Sequence, residues 1–370
     1  EQKIKSDLAA IGLTPQGQTL IVGLSGGPDS ICLVSVLLKL EFTILCVHVN
    51  FKLRGNASDQ DEKFVKTWCS HKGIELLTIS FDTRLIAAKN KKGIEETARK
   101  LRYDWFGTIC KERKLKYVLT GHHLNDQAEL ILMNLVRGTG LDGAGGMLFS
   151  AVLPYSDLNE KLVLVRPFLY YTKDEIFKYL DQEKMEFRND ASNEENEFTR
   201  NKIRNQIIPS LLSINTNAIR HIAEFGDKIQ AFLPIYDNYI RKLYKKIVST
   251  TPRKITIKIT REINEYSLYY FLSPFGFNED TVKQVFMVVQ NEKKGRKFIS
   301  KSHKIIIGNQ SLDIIPITPV FVSQEIQSLP FTLFLGDGKI VFRKCSNSSK
   351  PSLNQSIING TDISYPVTIR

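Results

Sequence analysis

Six consecutive residues, Ser25-Gly26-Gly27-Pro28-Asp29-Ser30, have the types needed to hold a phosphate tail. Two adjacent glycines let a backbone turn tightly and approach a ligand closely. Successive N–H groups at such a turn, and at the head of a following helix, make a nest for anions. Pro28 suits a first helical position, where a missing donor costs nothing. The Ser25 and Ser30 hydroxyls can donate to phosphate oxygens, and Asp29 suits a Mg²⁺ ion sitting on those phosphates. The segment is not a Walker A loop, because Gly-Lys-Ser/Thr is absent, and no GxGxxG follows this strand. The bland alternative is an ordinary strand-to-helix turn with a glycine pair; the Asp and Ser that follow count against it.

The elements that must present this turn can be read from periodicity. Residues 20–24 are a short apolar run ending at the Ser-Gly-Gly turn, and 29–40 are apolar on most faces and helical in length. Strands are expected at 43–49, 74–79, 117–120 and 162–165, and helices at 58–72, 94–113 and 125–136. A helix at 172–181 has Thr172 as its N-cap. A basic helix at 200–212 is expected to break at Pro209, and glycine-rich 138–146 reads as a loop, either a flexible connection or a mobile lid. This alternation predicts an α/β fold with a parallel, doubly wound sheet over residues 1–212. Beyond it, 218–246 reads as one long helix, and strands are expected at 254–259 and 304–307. Pro316 and Pro319 suggest a linker, and 320–370 reads as short strands with turns. The expected organisation is therefore a helical and α+β domain at 213–316, then the β-rich start of a C-terminal domain at 317–370, shortened at Arg370.

Composition agrees with such a plan. A chain of 370 residues with 42% hydrophobic content can build two or three cores. No stretch approaches the roughly 18 apolar residues needed to span a bilayer, and no basic segment followed by an apolar run opens the chain. Cys32, Cys46, Cys69, Cys110 and Cys345 are scattered without a CxxC pair, which fits buried thiols in a reducing cytoplasm. The formal charge of +12 suits a polyanionic partner such as nucleic acid, although an A/T-rich genome, which encodes Lys-rich proteins, would produce the same bias.

The Ser25–Ser30 segment matches the PP-loop of the N-type ATP pyrophosphatases, which cleave ATP between its α and β phosphates and adenylate an oxygen of a second substrate. Further segments narrow the resemblance: His48-Val49-Asn50 with Leu53-Arg54 and Ser58-Asp59, Ile94-Glu95 through Ala98-Arg99 and Arg102-Tyr103, and Gly121-His122-His123 with Asn125 to Glu129. Arg137-Gly138-Thr139-Gly140, Arg166-Pro167, Asp190, Ser192-Asn193 and Arg200-Asn201-Lys202-Ile203-Arg204 follow in order. Over residues 18–210 the chain resembles the tRNA(Ile)-lysidine synthetase family. That resemblance implies ATP and Mg²⁺ as cofactors, and L-lysine and a tRNA(Ile) bearing a CAU anticodon as substrates. It implies adenylation of the wobble cytidine at its C2 oxygen, then displacement of AMP by the lysine ε-amine. The product reads AUA instead of AUG.

Within that scheme Ser25, Gly26, Gly27, Pro28, Asp29 and Ser30 are the ATP-binding candidates. Asp29, His123, Asp126, Glu129 and Arg137 are the catalytic candidates, with Asp29 and Asp126 as Mg²⁺ ligands that neutralise the leaving pyrophosphate. A member of the His123, Asp126 and Glu129 set could hold the lysine ammonium or take its proton. Arg99, Arg102, Arg200, Asn201 and Arg204 are candidate phosphate and substrate clamps. Arg241, Lys242, Lys245, Lys294 and Arg296 are candidate tRNA contacts, each cluster weighed against an ordinary solvated face. The family pattern usually has His-Gly where this chain has Phe51-Lys52, and Thr where it has Leu130. A tRNA thiolase or a small-molecule synthetase on the same fold stays open as an alternative, as does a homodimer; no membrane partner is expected.

Overall fold

A strand whose successive residues are all apolar must be covered on both faces. Leu20, Ile21 and Val22 meet that condition, each with 1% exposure or less. The structure is a computed structural model that describes residues 1–152, 162–188, 199–291 and 295–317, and four short strands beyond them (324–326, 331–335, 338–342 and 367–369). Two compact units result, Glu1–Asp237 and Asn238–Arg370.

The first unit runs α1 (Gln2–Ala10), β1 (Leu20–Gly23), α2 (Pro28–Lys39), β2 (Ile44–Asn50), α3 (Asn56–Lys72), β3 (Leu76–Ser80), α4 (Thr83–Asn90), α5 (Ile94–Arg113) and β4 (Tyr117–Leu119). It continues through α6 (Leu124–Val136), α7 (Leu141–Ala144), β5 (Ser150–Val152), β6 (Val163–Val165), α8 (Lys173–Gln182), α9 (Thr199–Lys202), α10 (Ile208–Ile214) and the start of α11 (Ala218–Ile247). The sheet order is β3-β2-β1-β4-β6-β5. Five strands are parallel, and only the edge strand β5 runs antiparallel, against β6. Alternation along β1 divides the core. Leu20 and Val22 join α1, α2, α3 and α8 on one face, while Ile21 joins Tyr103, Phe106 and Ile109 of α5 on the other. This is the doubly wound sheet that the apolar runs predict.

Three elements carry too little pattern to be read from the sequence. Helix α1 buries only Ile4 and Leu8, α4 only Thr83 and Ala87, and β5 is a three-residue strand made by pairing to β6. Two expectations need correction. The basic helix does not break at Pro209: a π turn (Ile203–Ile207) joins α9 to α10, and Pro209 sits in the first turn of α10. A wider turn just ahead of a proline absorbs the missing N–H and the ring's clash with the preceding carbonyls. The glycine-rich stretch 138–146 is no open loop, since it contains α7 and is tied down. Asn134 Nδ2 donates to Gly143 O (2.8 Å), Gln230 Nε2 to Gly145 O (3.1 Å), and Met147 N to Gln127 Oε1 (2.7 Å).

The second unit takes the end of α11, then β7 (Val248–Thr250), β8 (Ile255–Lys258), α12 (Glu265–Leu272), α13 (Glu279–Gln290), β9 (Lys297–Ile299), β10 (His303–Ile307) and β11 (Ser311–Pro316). Its strands form one antiparallel sheet in the order β7-β8-β11-β10-β9. Pro316, read as part of a linker, pairs with His303 at the end of β11; Pro319 lies outside the described residues. Finally, β12 (Gln324–Ile326) pairs with β15 (Val367–Ile369), and β13 (Phe331–Leu335) with β14 (Gly338–Phe342), both antiparallel.

Candidate active site

In an open parallel sheet, ligands bind beyond the carboxyl ends of the strands, where the order reverses. Here that point lies between β1 and β4, because β2 and β3 extend the sheet to one side and β6 to the other. The Ser25–Ser30 turn occupies it. Gly26 takes φ +89°, and a Cβ there would sit 3.1 Å from Val65 Cγ2, so conformation and space both call for glycine. Gly27 caps α2 without a side chain and Pro28 opens the helix, leaving the first-turn N–H groups directed outward. The serines brace the bend. Ser25 N–H donates to Ser30 Oγ (3.2 Å), Ser30 Oγ donates to Gly27 O (3.0 Å), and the two hydroxyls lie 3.1 Å apart. Arg188 N–H donates to Gly26 O (2.9 Å), which ties the segment after α8 to the same turn.

Asp29 projects from the first turn of α2. Its Oδ1 is buried and has no hydrogen-bond partner among the described residues. His123 Nε2 lies 3.6 Å away, beyond hydrogen-bond reach. Burial pushes the Asp29 carboxyl above its ordinary range, only partly opposed by His123. The α6 helix supplies the facing groups. His123 is its N-cap, and Asp126 closes a reciprocal capping box with it. Yet Asp126 Oδ1 also receives Arg200 Nη2 at 2.5 Å and Arg204 Nη2 at 3.3 Å. Burial alone would raise the Asp126 carboxyl; His123 and Arg200 together hold it below its usual value. Glu129, one turn on and 1% exposed, accepts from Arg200 Nε (2.8 Å) and from Arg204 Nε (2.6 Å) and Nη2 (2.9 Å). The four-residue spacing of the two arginines, across the α9–π junction, brings both forks onto one acid pair.

A cavity of about 270 Å³ opens beside the turn, lined by Ser25, Asp29, Phe51, Arg102, His122 and Asp126 among others. Arg102 stacks over the Phe51 ring at 5.3 Å. Burial lowers its guanidinium pKa, and the neighbouring Arg99 and Arg200 charges lower it further. His122 bonds Thr120 Oγ1 through Nδ1 (2.8 Å), and burial drives its pKa down to about 3, so the ring is neutral. Gly121 is obligatory for contact: a Cβ there would lie 3.0 Å from the Asp29 backbone carbonyl. Arg166 is 6% exposed, donates to Leu148 O (2.6 Å), and its Nε has no hydrogen-bond partner among the described residues.

Not every candidate joins this cluster. Asn201 sits beside Arg200 on α9. Arg99 is exposed and stacks on Tyr103 at 5.1 Å. Arg137 is the exposed C-cap of α6, about 16 Å of helix away from Asp126. Arg241, Lys242 and Lys245 are exposed on the second-unit end of α11, and Arg296 is exposed just before β9. Lys294, with Asp190 and Ser192-Asn193 of the quoted motifs, lies outside the described residues. Residue-by-residue reasoning overlooked His122, Thr120 and Arg166 as site-lining or buried groups. His122 and Arg166 stand in the quoted motif segments without an assigned role, and only the topology points to Thr120. Phe51 was marked solely as a departure. Lys52 beside it takes φ +50°, which explains why glycine suits that position.

A family model described as a PP-loop domain matches residues 1–211. A second, described as a TilS substrate binding domain, matches residues 253–317. A tRNA(Ile)-lysidine synthase of Porphyromonas gingivalis is 34% identical over 341 residues, covering 90% of this chain and 71% of that protein. The chain belongs to the tRNA(Ile)-lysidine synthase family. It is thus an enzyme, a ligase built on an ATP-using PP-loop domain. A second member of the lysidine synthase family, from Bacteroides thetaiotaomicron, is 32% identical over 314 residues, covering 85% of this chain and 70% of that one. A bifunctional protein TilS/HprT of Listeria monocytogenes is 32% identical over 284 residues, covering 73% and 43% of the two chains. Among solved structures, a U34-tRNA thiolase NcsA from Methanococcus maripaludis is similar at 17% identity and a TM-score of 0.48, covering 62% of this chain and 76% of that one. No helix among the described residues is long and apolar enough to cross a membrane.

Proposed function

We propose that the chain joins L-lysine to C2 of the wobble cytidine of a tRNA(Ile) with a CAU anticodon, in the cytoplasm, by way of an adenylated cytidine. The observation that carries this reading is the unpartnered, buried Oδ1 of Asp29 at the mouth of an anion-binding turn. A buried carboxylate oxygen left without a partner is costly unless a ligand completes it. The donor set fits Mg²⁺: Asp29 and Asp126 both line the cavity, and this ion ordinarily takes one or two carboxylates together with substrate phosphates and water. Among the described residues no group of three or more His, Cys, Asp or Glu could hold a metal ion by itself. When bound, Mg²⁺ offsets the charge of the pyrophosphate as it leaves.

The chain's own groups then divide the work. The N–H groups of the 25–30 turn hold the pyrophosphate, and Gly121 allows the head of α2 to approach the β4–α6 connection closely. Asp126 supplies counter-charge to the lysine ammonium. The His123–Asp126 pair, whose Nε2 and Oδ2 lie 3.6 Å apart, takes the proton that frees the amine for attack. Glu129 is too buried to meet substrate and acts as a post that aims Arg200 and Arg204. Arg102 and Arg99 contact substrate phosphates. Arg137, far along α6, suits an RNA phosphate better than the reacting atoms. The second-unit cations Arg241, Lys242, Lys245 and Arg296, with Lys294, grip the tRNA backbone.

The test is pyrophosphate release with the tRNA(Ile) transcript, ATP and each amino acid in turn. AMP and pyrophosphate formed with lysine alone, on the CAU transcript alone, is the expected result. Turnover that ignores RNA would replace this reading with a small-molecule synthetase.

A further inference from the structure

Arg102 differs from the other arginines around the cavity. Arg200 and Arg204 are neutralised by Asp126 and Glu129. Among the described residues Arg102 makes no ion pair, and its guanidinium lies over the Phe51 ring at 5.3 Å. The charged groups that bear on it most are two further cations, Arg99 and Arg200. A cation held by a ring face spends none of its hydrogen-bond donors on that contact. Arg102 and Phe51 line the same cavity as Ser25, Asp29 and Ser30 of the phosphate-binding turn. A desolvated guanidinium without a carboxylate is costly unless an anion completes it.

The ring is placed by the backbone on either side of it. Side chains alternate along a strand, so Val47, Val49 and Phe51 share a face, and all three line the cavity. Val47 joins the core that Tyr103 and Phe106 form on α5, the helix that carries Arg102. Asn50, 2% exposed, ends β2 and donates to Asp59 Oδ1 (2.9 Å) and Glu62 Oε2 (2.8 Å) of α3. Its Oδ1 accepts Lys52 N–H (3.0 Å), closing a turn in which Lys52 takes φ +50°. Phe51 is therefore held between an anchored residue and a tight turn. A phenyl ring neither ionises nor donates, so what it offers a guanidinium is its face. We infer that Phe51 is a positioning residue, whose ring holds Arg102 where the guanidinium meets the phosphates of ATP seated at the Ser25–Ser30 turn. This rests on the phosphate role proposed for Arg102 and adds the side chain that fixes it, at a position where the chain departs from the family pattern.

The experiment measures Kd for α,β-methylene-ATP with Mg²⁺, and for adenosine, by isothermal titration calorimetry on the full chain. The variants are Phe51→Leu, Phe51→Tyr, Arg102→Met and the double variant Phe51→Leu/Arg102→Met, with urea midpoints to check folding. Phe51→Met replaces Phe51→Leu in the same cycle if the leucine variant does not fold. Phe51→Leu should raise Kd for the ATP analogue about tenfold and leave that for adenosine unchanged. Phe51→Tyr keeps the ring face and should restore binding to within about twofold of the wild type. Arg102→Met should raise Kd for the analogue about 10–100-fold. On that background Phe51→Leu should add less than about twofold, because the ring acts through the arginine. Effects that multiply in the double variant, or a tyrosine variant as weak as the leucine one, would overturn the inference. So would an equal loss of adenosine binding, which would make the ring a contact of the base itself. Arg102→Met weakened with Phe51→Leu unaffected would remove the role of Phe51 alone. Arg102→Met as tight as the wild type would remove the phosphate role of Arg102 and the inference with it. Neither ligand requires RNA or lysine, so these outcomes do not depend on which substrate is adenylated.

Discussion

Glu129 is the group whose environment makes the firmest energetic demand. Its carboxylate is 1% exposed and accepts three N–H groups, two of them from Arg204. Arg204→Met removes two of the three and leaves a buried charge partly uncompensated. Breaking a fully buried pair costs about 3–5 kcal/mol. The Arg204 side chain is 28% exposed and Arg200 remains, so a loss of about 2–3 kcal/mol is expected. Glu129→Gln should cost about 1–2 kcal/mol, because a neutral amide still accepts from the arginines. The double variant carries no stranded charge, so its loss should fall about 1.5–2 kcal/mol short of the sum. Urea unfolding followed by tryptophan fluorescence measures this cleanly, since the chain's two tryptophans, Trp68 and Trp105, both lie in the first unit. Losses that add to within about 0.5 kcal/mol would show that solvent screens the cluster and would refute the buried-post role of Glu129.

Four further outcomes follow from the same geometry. Asp29→Ala should abolish pyrophosphate release while leaving tRNA binding nearly intact; joint loss of both would count against its role at the phosphates. Gly121→Ala places a Cβ 3.0 Å from the Asp29 carbonyl and should lower kcat/KM for ATP about 10–100-fold in a folded protein, and an unchanged value would show that the turn tolerates the shift. The folded pKa of His122, about 3, lies below the ordinary 6.5, so its contribution to stability is present above pH 6.5 and is lost as pH falls toward 3. His122→Asn should therefore flatten the acid limb of stability by up to about 1.4 kcal/mol per pH unit in that window, as read by urea midpoints. Lys52→Gly relieves φ +50° and should stabilise the first unit by about 0.5–1 kcal/mol; a lower urea midpoint would mean that the lysine side chain makes a contact worth more than the strain.

What the sequence determined by itself was local. The Ser25–Ser30 turn is legible because its chemistry is that of its own backbone: two glycines, a helix start and a proline at the one position that tolerates it. The parallel sheet is legible because a strand buried on both faces carries an unbroken apolar run, as Leu20–Val22 of β1 and Ile44–Val47 of β2 do, and because Thr172 with Glu175 spells out a capping box. Tertiary structure alone decided the rest. Arg200 and Arg204 reach an acid pair 71 to 78 residues earlier in the chain, and no periodicity connects them. Arg137, beside the site in motif order, is carried away by the length of α6, while Phe51 and His122 are brought into the cavity wall by the ends of β2 and β4. Short-range conformational preference is written in neighbouring residues. Which distant charges meet depends on where packed helices and strand ends come to rest, and that follows from the burial of the whole core.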